Sequence, residues 1–138
     1  MNILYCGDKN ILDGLIISTL SLAKHTSRPL TIYVLTMRMK GYKEIPASAI
    51  ENLEKILKTK DERHTIKLID ATDAFNSDIP RANLKTFFTP YCLLRLYADL
   101  IKELPKKLLY LDTDVVALRD PYELYKMNND GYELIGAV

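Results

Sequence analysis

Leu108-Leu109-Tyr110-Leu111-Asp112-Thr113-Asp114-Val115-Val116-Ala117-Leu118 sets two carboxylates between two apolar runs. Short runs rich in Leu, Val and Tyr read as strands buried on both faces, where an ionised carboxylate is costly unless a cation or donors meet it. The pair therefore belongs where the strand emerges from the core. Spaced by one residue on an extended backbone, Asp112 and Asp114 leave on the same side and can face one hard divalent ion, while Thr113 points away. A plainer reading makes them turn formers or helix caps, and Asp120-Pro121 shows that the chain turns nearby. A turn normally ends a buried run, whereas here a second run, Val115 to Leu118, resumes at once. That favours a metal or phosphate site.

Outward from this stretch, strands and helices alternate. Asn2 to Gly7 reads as a strand and Asn10 to Thr26 as a helix, with Leu12, Leu15, Ile16, Thr19, Leu20 and Ala23 at helical spacing. Asn10 can cap that helix, with Asp13 in the capping-box position. Leu30 to Thr36 is a second strand, Pro46 opens a helix with an Ile50, Leu53, Ile56 and Leu57 face, and Thr65 to Ile69 is a third strand. A long polar connector runs from Asp70 past Pro80 to Thr89. Pro90 then starts a helix reaching about Glu103, ahead of the strand that ends at Asp112. Tyr122 to Lys126 reads as a helical turn, Asn128 to Gly131 as turn chemistry and Glu133 to Val138 as a further strand. Apolar strands alternating with helices predict an α/β fold, a mostly parallel doubly wound sheet with helices on both faces. Ligands of such sheets bind at the carboxyl ends of strands where strand order reverses, so Asp8 after the first strand is expected to converge with Asp112 and Asp114.

Composition narrows the function. A chain of 138 residues with 48% apolar residues builds one core, and a net charge of +1 gives no electrostatic case for a nucleic-acid partner. The basic cluster from Lys102 to Lys107 is broken by Glu103 and Pro105. Cys6 and Cys92 sit in apolar stretches and read as free thiols in a reducing, cytoplasmic setting. No stretch approaches the roughly 18 apolar residues of a membrane span, and the opening reads as a strand, not a signal peptide.

These residues resemble the family 8 glycosyltransferases, retaining enzymes with the Rossmann-like GT-A fold. Asn2-Ile3-Leu4-Tyr5-Cys6-Gly7-Asp8-Lys9-Asn10 is similar to that family's first strand and nucleotide-binding turn, and Leu20 to His25 to its small-residue helix end. Arg95 within Tyr91-Cys92-Leu93-Leu94-Arg95-Leu96 matches its arginine before the metal strand, and Leu109 to Val116 matches its DxD metal motif. The resemblance implies that Asp112 and Asp114 hold Mn²⁺, or Mg²⁺ in its place, on the pyrophosphate of a UDP-sugar. Arg95, Asp112 and Asp114 would form the catalytic set, with a glucose or galactose donor favoured. Cys6, Gly7, Asp8, Asn10, Ile11, Arg95 and Thr113 would line the nucleotide-sugar site, Asp8 accepting from the uracil N–H and Asn10 touching the ribose. Ile11 stands where the family often carries an aromatic that stacks on the base. The residues alone leave plainer roles open, a cap for Asn10 and an i,i+4 pair with Asp99 for Arg95.

The resemblance also implies a third metal ligand, a histidine in the family's C-terminal part. His25 and His64 do not match it by context and read as surface or structural residues. Because Glu133 to Val138 reads as a strand with no cap after it, residues 1–138 are expected to be the N-terminal, nucleotide-sugar-binding part of a single GT-A domain, inactive alone. The acceptor stays open among saccharide, lipid-linked and protein types, and so does peripheral attachment to the inner membrane face. Two other functions compete. A haloacid-dehalogenase-type phosphatase would use Asp112 as nucleophile and Asp114 as acid/base, yet only 24 residues follow Asp114, too few for its remaining motifs. A non-catalytic nucleotide-sugar-binding module is the other.

Overall fold

The structure is a computed structural model that describes residues 1–79, 84, 89–128, 131–132 and 135–136. In chain order it runs β1 (Asn2–Cys6), a 3-10 turn (Lys9–Ile11), α1 (Leu12–His25), β2 (Thr31–Thr36), α2 (Ala47–Lys58), β3 (Thr65–Asp70) and α3 (Thr72–Ser77). A long 3-10 helix (Pro90–Leu100), β4 (Leu109–Tyr110) and α4 (Tyr122–Tyr125) follow. The strands form one parallel sheet in the order β3-β2-β1-β4.

Strand alternation divides the core in two. Ile3 and Tyr5 of β1, Ile32 and Val34 of β2, and Ile66 of β3 pack under α1 and α2. The intervening Leu4, Tyr33 and Leu35 face the opposite side and meet Phe75 of α3 with Tyr91, Leu94 and Tyr97 of the 3-10 helix. Burying one such Leu or Ile stabilises the fold by about 1.5–3 kcal/mol, so both faces must be covered. The first two crossovers run over one face, and the return from β3 to β4 runs over the other. β4 therefore lands beside β1, with Ile3 opposite Leu109 and Leu4 opposite Tyr110. Strand order reverses between these two strands, which is the expected ligand-binding crevice.

Several expectations shift. The buried stripe of α1 is Leu15, Ser18, Thr19, Leu22 and Ala23, while Ile16 is exposed. Ser18 is tolerated inside because its hydroxyl and that of Tyr5 share a 2.7 Å hydrogen bond. On α2 the buried face is Ile50, Leu53 and Leu57, with Ile56 turned outward. The polar connector after β3 contains α3, anchored by one buried ring, Phe75. Val115 to Leu118 is not a strand: the backbone turns at Asp112, whose carbonyl accepts from Val115 N at 3.1 Å, and Val115, Val116 and Leu118 are exposed. The strand expected over Glu133 to Val138 lies largely outside the described residues, as do Asn129 and Asp130 of the expected turn. Both cysteines are free and half-buried. Among the described residues no helix is long and apolar enough to cross a membrane.

Candidate active site

The carboxyl ends of β1 and β4 lie side by side, and the ladder continues one step past β4 through Leu111 N donating to Leu4 O at 3.0 Å. Asp112 emerges there with its side chain 61% exposed, and Asp114 is exposed two residues on. The pair thus sits where the cost of burying carboxylates requires, at the point where the chain leaves the sheet. The reason given for their shared direction does not hold, because Thr113 and Asp114 lie in a turn and not on an extended strand. Thr113 instead presses its carbonyl oxygen toward α1, where a Cβ built on Gly14 would come within 2.6 Å of it. Only glycine lets helix and turn approach so closely.

Arg95 reaches the same point from the 3-10 helix. Its Nη1 stands 3.9 Å from Asp112 Oδ1, and its guanidinium lies 5.0 Å from the centre of the Tyr110 ring. The alternative pairing with Asp99 fails for a geometric reason: three residues per turn put positions i and i+4 about 120° apart on a 3-10 helix. Tyr110 donates its hydroxyl to Asp112 Oδ1 at 2.5 Å. Both groups of the Arg95–Asp112 pair are well exposed, so the contact contributes little to stability and leaves the guanidinium available. Cys6 lies nearby, its thiol pushed up to about 12 by burial, with Arg95 opposing the rise. It is therefore a neutral thiol at neutral pH, not a thiolate nucleophile.

Asp8 follows β1 and is buried. Its Oδ1 accepts from Asn10 N at 3.1 Å and its Oδ2 from Asn10 Nδ2 at 3.0 Å. The cap of this segment is thus Asp8, acting on the 3-10 turn. Asn10 is the donor, and α1 begins two residues later than expected, with no side-chain cap at Ile11. Ile11 lies over Gly7, where an added Cβ would sit 2.5 Å from its Cγ2. Lys9 N donates to Lys43 O at 2.9 Å, tying the loop after β2 to this turn.

The expected convergence of Asp8, Asp112 and Asp114 is not met. Among the described residues no three His, Cys, Asp or Glu side chains form a group that could hold an ion. Asn10 occupies Asp8 within its own turn, and His64 is buried elsewhere, its Nδ1 accepting from Leu30 N at 3.1 Å. Two exposed carboxylates do, however, suit a hard ion of the Mg²⁺ type, which takes one or two carboxylates and completes its shell with phosphate and water. The residues present therefore fit a shared protein–substrate site and do not fit a closed structural cage. Two participants were missed in the sequence, Gly14 and Tyr110. The second had a readable signal, since residues two apart along a strand share a side.

The glycosyl transferase family 8 model matches residues 2–138. The chain belongs to glycosyltransferase family 8. No curated protein sequence matches it significantly. Among solved structures it is similar to the galactosyltransferase LgtC in complex with donor and acceptor sugar analogues, at a TM-score of 0.69 and 20% identity over 93% of this chain and 43% of that one. The glycosyltransferase GlyE of Streptococcus pneumoniae TIGR4 is similar at a TM-score of 0.58 and 21% identity, over 92% and 26% of the two chains. The bifunctional WbbM in its apo form gives 0.62 and 17%, over 92% and 20%. The family 8 chain thus spans less than half the length of these structures, which share the GT-A fold. Membership in this family displaces the phosphatase reading of Asp112.

Proposed function

We propose that this family 8 chain binds the donor for a glycosyltransferase that moves a hexose, glucose or galactose, from a UDP-sugar to an acceptor with retention of configuration. The observation that carries the reading is the approach of Arg95 to Asp112 at the carboxyl end of β4, beside β1, where the sheet reverses order, with Asp114 exposed two residues on. Asp112 and Asp114 would hold Mn²⁺, or Mg²⁺ in its place. When bound, that ion supplies Lewis-acid stabilisation to the charge developing on the departing diphosphate.

The chain's own residues account for the rest. Two carboxylates without a cation repel a diphosphate, which makes donor binding depend on the metal. Arg95 is held by weak, exposed contacts and can turn its planar fork toward phosphate oxygens, a geometry that lysine could not copy. Ile11, covering Gly7, offers an aliphatic face to the base, and Asp8 is fixed by Asn10 with acceptor capacity remaining on each oxygen. The likeness to LgtC, solved with donor and acceptor sugar analogues, supports a sugar donor. Saccharide, lipid-linked and protein acceptors all remain compatible with these residues. The two free thiols favour a cytoplasmic setting, with the acceptor setting any contact with the inner membrane face.

Saturation-transfer NMR across a panel of nucleotide sugars tests the proposal. UDP-glucose and UDP-galactose should bind only when Mn²⁺ is present, with ADP- and GDP-sugars binding more weakly. Metal-independent binding with no preference among bases would overturn it.

A further inference from the structure

Tyr110 ends β4 two residues before Asp112, and its ring packs half-buried against the layer that holds Leu4, Tyr91 and Leu94. The packing fixes the ring, and the ring aims its hydroxyl at Asp112 Oδ1, 2.5 Å away. Arg95 approaches the same oxygen but stops at 3.9 Å, with its guanidinium resting 5.0 Å from the centre of that ring. A hydrogen bond to a carboxylate is directional and strong, whereas an exposed ion pair at 3.9 Å holds no particular orientation.

We propose that Tyr110 is a positioning residue for the ion site, its hydroxyl pinning Asp112 Oδ1 so that Oδ2 is presented outward to a divalent cation. The proposal rests on the reading of Asp112 as a ligand. An exposed aspartate otherwise spreads over its rotamers, and a cation must pay the ordering cost on binding. With the hydroxyl gone, Arg95 is also free to close the remaining distance and compete for the same carboxylate. Partners that orient a ligating carboxylate typically change metal affinity by about tenfold or more when removed.

The test is a Mn²⁺ titration in the presence of UDP, read as free Mn²⁺ by electron paramagnetic resonance, alongside a thermal melt of each protein. Tyr110→Phe keeps the packed ring and loses only the hydroxyl, and it should weaken Mn²⁺ binding about tenfold at a near-unchanged Tm. Tyr97→Phe is the control: its hydroxyl also makes a 2.5 Å bond, to Asp78 O, on the far side of the 3-10 helix, and its loss should leave Mn²⁺ affinity unaltered. Titrated with Mn²⁺ alone, so that the phosphate role of Arg95 does not enter, Arg95→Met added to Tyr110→Phe should recover part of the lost affinity, a rescue that a packing defect would not show. If Asp112→Asn abolishes Mn²⁺ binding while Tyr110→Phe binds as the wild type, the positioning role is overturned and the metal reading survives. If wild type and Asp112→Asn bind Mn²⁺ alike, the metal reading fails and this inference fails with it.

Discussion

Gly14 and Thr113 touch across the gap between α1 and the Asp112–Asp114 turn: a Cβ at position 14 would lie 2.6 Å from the Thr113 carbonyl oxygen and 3.1 Å from its Cβ. The obstacle is backbone, so it cannot swing away as a flexible side chain could. Gly14→Ala should therefore displace the turn that carries both carboxylates, at a cost of about 1–3 kcal/mol for overpacking. A melt paired with Mn²⁺-dependent UDP binding checks it. Unchanged values of both would mean that the turn is not braced by α1.

Asp112→Asn and Asp114→Asn should each abolish metal-dependent UDP binding while stability changes by less than about 0.5 kcal/mol, as for exposed sites. The amide is nearly isosteric, and Asn at 112 can still accept from the Tyr110 hydroxyl. Circular dichroism melts beside the binding assay separate the roles. Loss of the fold in both variants would mark these carboxylates as structural caps.

His64 is only 1% exposed, and its Nδ1 accepts from Leu30 N, the residue that leads into β2. His64→Leu should cost about 1–3 kcal/mol, because the Leu30 N–H is left buried without an acceptor. Burial holds the His64 pKa below its ordinary value of 6.5, with Asp61 opposing the shift. A depressed pKa means that the folded state favours the neutral ring. Its contribution is complete above pH 6.5 and is lost as pH falls through the lower folded-state value. Urea midpoints at pH 8 and pH 5 should differ more for the wild type than for His64→Leu, and equal differences would contradict this.

Val116, Leu118, Leu124 and Met127 are exposed, and Leu118 is 84% so. Among the described residues β4 is the edge strand, and Leu118 and Leu124 line a groove of about 490 Å³ with Leu109, Leu111 and Val115. Apolar surface at an open sheet edge favours association. Light scattering on the 138-residue chain should show mass rising with concentration, and Leu118→Lys should reduce that rise. A monodisperse monomer at every concentration would contradict it.

Much of the fold was legible because the strands alternate cleanly. The order β1-α1-β2-α2-β3 and the location of Asp112 at a strand end followed from apolar period and burial cost. What was not legible depended on partners distant in sequence. Thr72–Ser77 carries one large apolar residue, Phe75, beside Ala74, too little for a period, and packs where Phe75 meets Tyr97 at a ring separation of 5.5 Å. Val115 to Leu118 reads as a strand by composition but turns away, since chain direction there is set by the Asp112 turn and the Gly14 contact. Asn10 reads as the helix cap, yet α1 has no side-chain cap and it is Asp8 that caps the 3-10 turn before it. The 3-10 turn between β1 and α1, which apolar spacing does not show, moves the cap two residues back.

The most direct test of the account is UDP affinity measured by titration calorimetry in Mn²⁺ and again in excess chelator. Among the described residues no third acidic or histidine side chain joins Asp112 and Asp114 in a group that could hold an ion, so under the proposed function two carboxylates would repel a diphosphate unless a cation stood between them. The account predicts UDP binding in Mn²⁺ that falls by at least about tenfold in chelator, with the difference absent in Asp112→Asn. Equal UDP affinity with and without the metal would contradict the assignment of this pair as the ion site.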